Sequence, residues 1–264
     1  AAVSFSAMAD DKVVVPDSTG FKFTDVKVLK TTPVRDQNQS GTCWCFSTNT
    51  FLEDEILRKG GKETDLSEMF VVRQCYLDKA RKYVRMDGKV NFAQGGAAHD
   101  VPYIMSKYGM MPEEAYRGLN YGEDKPVHGE LSAVMKAYLD AVIAMPDRKL
   151  STAWEKGFEG ILDAYFGPVP ETFAHNGKTY TPETYAQSLG LNPDDYIEVT
   201  SFTHYPFYKP FALEVADNWL WHSMQNVPLD ELKAIVDNAL DNGYPVAWGA
   251  DVSEGGFKWR KGYA

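Results

Sequence analysis

The chain has 264 residues, 44% of them apolar and 13% aromatic, with 27 Lys and Arg against 37 Asp and Glu for a formal charge of −10. Spread over the whole length, that apolar content offsets chain entropy and excludes a disordered chain, while the length excludes a small disulfide-stapled scaffold. The cations form no long block, so no nucleic acid partner is expected, and no apolar run reaches the roughly 20 residues of a membrane-spanning helix.

In the opening AAVSFSAMADD, Ala7-Met8-Ala9 is a small-x-small triplet with apolar residues before it and charge after it. Residues 1–9 therefore read as a signal-peptide remnant and the protein as exported, periplasmic or secreted, against the alternatives of an ordinary N-terminus and a cytoplasmic chain. Residues 10–35 alternate apolar runs with turn residues, as an extended segment does. From Cys43 to about Gly60, Phe46, Phe51, Leu52, Ile56 and Leu57 put an apolar stripe on one helix face, and Gly60-Gly61 ends it. Within it Glu53, Asp54 and Glu55 read as a solvated face.

A second helix follows Ser67, capped by Asp65 or Ser67. Residues 91–98 are a Gly-rich loop, and a third helix over Asp100–Tyr108 stops at Gly109. Leu131–Met145 and Thr152–Phe166 read as two more helices, broken by Pro146 and by Gly167-Pro168. His175-Asn176-Gly177 between aromatic residues predicts a short hairpin over Phe173–Tyr180. Leu229–Leu240 is predicted as a helix and Tyr244–Val252 as a buried strand, the first of a sheet whose other strands lie farther on.

The chemistry concentrates at Gln37-Asn38-Gln39-Ser40-Gly41-Thr42-Cys43-Trp44-Cys45-Phe46-Ser47. Turn residues lead straight into a helix starting near Cys43, where unpaired backbone N–H groups and the helix dipole stabilise a thiolate. A buried structural cysteine is the alternative reading. Gln37 weighs against it: across the turn its side-chain amide can return beside the sulfur and, with the Cys43 N–H, form a two-donor oxyanion hole. Cys43, Cys45 and Cys75 cannot all pair within one chain, so at least one thiol is free. Cys45 falls on another helix face as packing, and no Cys or His cluster elsewhere completes a metal site, so no metal and no cofactor is expected.

The pattern Q-x5-C-W-x-F-S resembles the active-site signature of the papain-like cysteine peptidases. In the family's order follow Leu66-Ser67-Glu68, like its L-S-E helix start, and Gly95-Gly96, like the paired glycines that hold the substrate backbone. Ser40 stands where the family carries a further cysteine. The runs Lys107-Tyr108-Gly109-Met110-Met111-Pro112, Gly167-Pro168-Val169-Pro170-Glu171-Thr172-Phe173 and Gly243-Tyr244-Pro245-Val246-Ala247-Trp248 are similar to the bleomycin hydrolase and aminopeptidase C branch, and the likeness spans most of Thr32 to Val252. The resemblance implies an α+β, two-lobed papain-like fold, with a helical lobe at residues 36–119, a helical insertion at 120–226 and the start of an incomplete β-barrel lobe at 227–264. It implies a cysteine-type aminopeptidase that attacks peptide substrates through an acyl-enzyme, with Cys43 as nucleophile, Gln37 as oxyanion donor, and Gly95, Gly96 and Trp44 at the substrate. It also implies a homo-hexamer. An endopeptidase and a non-catalytic papain-like binding protein are the alternatives.

Such chemistry needs a histidine base and an Asn to orient it. His175 lies 132 residues after Cys43, within the roughly 130–150 of papain-like chains, but its His-Asn-Gly context is a polar turn. His204 precedes Asn218-Trp219, yet Pro206 and Pro210 break the strand that should join them. His99 is expected to pack or hydrogen-bond near the cleft floor, and His128 and His222 to be surface or packing residues. The catalytic His and Asn are therefore expected beyond Ala264.

Overall fold

The structure, a computed structural model, describes residues 24–147 and 149–258; the signal-peptide reading of residues 1–9 lies outside them. The core is built around α2 (Glu68–Arg85), fifteen of whose eighteen residues are buried. Its start is set by Ser67, whose hydroxyl accepts the Phe70 N–H at 3.0 Å and donates to the Tyr116 carbonyl. A helix buried on all sides needs partners for its charged residues, and Asp78 finds four. Asp78 is 5% exposed. Burial raises its carboxyl pKa, but donors from Lys107, Tyr103, Tyr108 and Arg81 hold it below the usual range.

Around α2 pack α1 (Cys43–Arg58), α3 (Asp100–Tyr108), α4 (Gly129–Ile143) and α5 (Trp154–Phe166). α1 ends as its glycines predict: Gly60 takes φ +82° and the Gly61 N–H reaches the Ile56 carbonyl at 2.8 Å. α4 and α5 bury Leu131, Met135, Leu139, Phe158, Leu162 and Phe166 in the same cluster as α2, so the segment after residue 120 shares one core with the helices before it. Glu53 and Glu55 are not a solvated face. Glu53 is 1% exposed and accepts from the Leu66 N–H at 2.8 Å and the Thr32 hydroxyl at 2.6 Å, and Glu55 is 4% exposed and takes both arms of Arg58. Glu53 thus docks neighbouring chain onto α1 and Glu55 pairs within the helix, neither of which sequence periodicity reveals.

The predicted hairpin forms from β1 (Phe173–His175) and β2 (Lys178–Tyr180), turning at Asn176 and Gly177, both at positive φ. Beyond it come elements the sequence reading did not find: α6 (Pro182–Ser188), and β3 (Val199–Thr200), β4 (Pro210–Ala212) and β5 (Ser223–Asn226), paired in the order β3-β5-β4. These strands are two to four residues long and carry no sustained alternation. Buried Asn226 holds the sheet's end, accepting from the Phe202 N–H and donating to the Phe202 and Tyr205 carbonyls. α7 (Leu229–Asp241) follows with no buried residue. Tyr244–Val252 does not form the predicted buried strand: Trp248 is 72% and Val252 63% exposed, and no strand pairs with the run among the described residues. Without a neighbour, an apolar extended segment has no ladder to complete.

Two predictions follow from this packing. Burial lowers the His128 pKa to about 4. The unfolded chain takes up that proton from about pH 6.5 downward, so this residue's contribution is lost as pH falls between 6.5 and 4. Burial pushes Glu68 up to about 8, so its contribution is full below pH 4.5 and is lost as pH rises toward 8. In urea unfolding, Glu68→Gln should flatten the decline between pH 6.5 and 8 by ~1 kcal/mol per pH unit; equal slopes for both proteins would disprove a neutral buried carboxyl. Gly109, at φ +81°, abuts the Pro182 backbone where α3 meets α6. Gly109→Ala should cost ~2 kcal/mol or more in thermal unfolding, whereas Gly122→Ala, at φ +83° in open space, reports the backbone strain alone.

Candidate active site

Cys43 is the first residue of α1 and is exposed, while Cys45 and Cys75 are fully buried; all three are free. Burial pushes the Cys45 and Cys75 thiols well above their ordinary pKa, which keeps them neutral and inert. No acidic residue stands in the first turn of α1, so nothing there offsets its positive end. The Thr42 carbonyl takes the Cys45 and Phe46 N–H groups. The N–H groups of Cys43 and Trp44 have no partner among the described residues and face the entry of the helix.

The turn before Cys43 is closed by side chains. The Ser40 hydroxyl donates to the Gln37 carbonyl at 2.8 Å and lies 2.6 Å from the Thr42 hydroxyl, and the Gln37 amide donates to the Ser40 carbonyl at 2.6 Å. Gln37 is half-buried, with one amide hydrogen committed to this turn and one remaining. On the far side, residues 126–128 line the same turn: the Gln39 N–H donates to the Pro126 carbonyl and the His128 N–H to the Gln39 carbonyl, both at 3.1 Å.

The glycine loop is brought against α1 by two residues the sequence reading did not single out. Gln94 accepts the Gly41 N–H at 2.7 Å, takes the Trp44 indole N–H on its carbonyl at 3.0 Å, and donates to the His128 carbonyl at 3.4 Å. Lys79, 3% exposed on α2, donates to the Ala93 and Gly95 carbonyls. Its ammonium lies 5.8–5.9 Å from the ring centres of Trp44, Tyr76 and Trp219. Trp44 itself is 6% exposed and packs beneath Gly96. A Cβ at Gly96 would come within 2.8 Å of the Trp44 ring and 2.6 Å of Asp100 Oδ2, so only glycine lets the backbone lie this close.

None of the five histidines has a described hydrogen bond or ion pair to Cys43. His175 Nδ1 is 2.6 Å from Glu114 and its Nε2 is 2.8 Å from Asn176, inside the hairpin. His204 is exposed, 3.9 Å from Glu214. Asn218 is spent on the Leu213 and His222 backbone, and Trp219 donates to Asp100. His128 is buried against Tyr76 and Phe166. His99, Glu198 and His222, far apart in sequence, come together beside α3 and are the one group among the described residues able to hold a metal ion. An apolar hollow of about 640 Å³ over the small sheet, lined in part by Tyr205, Phe211 and Trp221, contains none of these residues.

The model of the papain family of cysteine proteases matches residues 19–149. Aminopeptidase C of Lactobacillus delbrueckii subsp. lactis is 24% identical over 86% of the chain, and aminopeptidase G of the same organism 26% over 85%. Human cathepsin L2 is 35% identical over 32% of the chain and 23% of its own length. The crystal structure of PepW from Lactobacillus rhamnosis HN001 superposes at a TM-score of 0.68 with 19% identity, covering 84% of this chain and 59% of that one. The chain spans about 60% of the length of the two aminopeptidases. Signature, fold and relatives agree in supporting a papain-like cysteine peptidase of the aminopeptidase C branch.

Proposed function

We propose that the chain carries the nucleophile side of a cysteine aminopeptidase. The observation that supports this most is the exposed Cys43 thiol at the start of α1, beside a glycine loop clamped by Lys79 and Gln94. In this reading the Cys43 thiolate attacks the substrate carbonyl carbon. The resulting oxyanion accepts from the Cys43 N–H and the free Gln37 amide hydrogen. Collapse expels the amine, which takes the proton that the base first removed from sulfur, and water then hydrolyses the thioester. Gly95 and Gly96 offer backbone to an extended substrate peptide, and Trp44 supports them from below. The base is none of the five described histidines: His175 and His204 sit beside carboxylates outside the site, His128 is sealed, and His99 and His222 face Glu198. On this reading a histidine base and its orienting Asn are supplied by residues other than those described. We extend the reading to export, on Ala7-Met8-Ala9, and to a homo-hexamer, on the resemblance to the bleomycin hydrolase and aminopeptidase C branch.

Native iodoacetamide labelling should modify Cys43 at least about 100-fold faster than Cys45 or Cys75, since reaction needs an accessible thiolate; equal rates would overturn its role. In the whole enzyme Cys43→Ala should abolish hydrolysis of aminoacyl substrates. Gln37→Ala should lower kcat about 10²–10³-fold with KM little changed. His175→Gln and His204→Gln should leave kcat within about twofold, and a large loss at either would make that residue the base.

A further inference from the structure

We propose that His99, Glu198 and His222 form a site for a divalent transition metal of the zinc class. One ligand atom from each of the three lies within 4.8 Å of the others. His99 Nδ1 is 2.8 Å from Glu198 Oε2, and the His222 ring stacks on the His99 ring at 4.5 Å and 26°. Two imidazoles and one carboxylate are a donor set that zinc favours, with a water completing four ligands.

The second observation lies on the other side of the His99 ring. Its side chain is 4% exposed, and Nε2 is buried without a partner, 3.7 Å from Asp100 Oδ1, which is itself buried without a partner. With Nδ1 facing Glu198, the ring's other nitrogen faces a carboxylate oxygen that no donor reaches among the described residues. When a metal takes Nδ1 and Glu198, the ring proton sits on Nε2, on the side of Asp100, in the carboxylate–histidine–metal order that orients metal-binding imidazoles.

The bound ion ties three pieces of chain together: the cap of α3, the entry to β3 and the turn before β5. It also braces the glycine loop, because Asp100 Oδ2 accepts the Ala97 N–H at 3.1 Å and the Trp219 indole N–H at 2.8 Å. The nucleophile is not a ligand, so the site is separable from the peptidase reading.

The test uses the chain carrying Cys43→Ser, stripped with chelator and titrated with Zn2+ by calorimetry and with Co2+ by visible absorption. The expected result is one equivalent bound, with tetrahedral Co2+ bands lacking a sulfur charge-transfer band, and a raised thermal midpoint. His222→Ala and Glu198→Gln should each weaken binding at least about tenfold, and His204→Ala should leave it unchanged. His222 is exposed, so its variant keeps the fold. Absence of saturable binding at micromolar metal, or binding that survives both substitutions, would overturn the site and leave His99 as a proton-bridged link between Glu198 and Asp100.

Discussion

Everything at the candidate site hangs on a buried ammonium. Lys79 rises from the central helix, gives its protons to the Ala93 and Gly95 carbonyls, and rests among Trp44, Tyr76 and Trp219. An unpaired cation at that depth would cost several kcal/mol. The glycine loop must therefore stay where its carbonyls can accept, and the loop's place fixes the wall opposite Cys43. Gln94 fastens the same loop to the turn ahead of the nucleophile and to the first residues of the chain beyond 120. The turn before Cys43, the glycine loop and residue 128 are thus joined through Gln94, and the loop in turn is held to the central helix by Lys79.

α1, α2 and α3 were legible because each carries its own punctuation: Ser67 caps, Gly109 stops, and Gly60 closes with positive φ, all within a residue or two of the periodic pattern. The hairpin was legible from Asn176-Gly177 for the same local reason. What escaped was long-range. Glu53 looks like a surface acid until Thr32 and Leu66 arrive to bond it. The small sheet has strands too short to show a period, and its stability comes from Asn226 and from its docking rather than from alternation. Tyr244–Val252 shows the converse, a strand-like sequence that needs neighbours the described residues do not supply.

Within the site, Cys43 and its position at the start of a helix were readable. Lys79 and Gln94 were not, because nothing in one sequence says that a lysine 36 positions after the nucleophile faces inward to a loop 14 to 16 residues farther on. The cluster of His99, Glu198 and His222 has the same origin: it exists only once the small sheet has folded back onto α3.

The turn ahead of the nucleophile is shut by hydroxyl groups, Ser40 and Thr42 with the Gln37 carbonyl, and all three cysteines stand unbridged. Its shape is consequently indifferent to the redox state of the surroundings. A reducing milieu can keep the attacking sulfur in its working form without slackening the support beneath it. Oxidants, for their part, find a single accessible thiol among the described residues, so thiol oxidation falls first on Cys43.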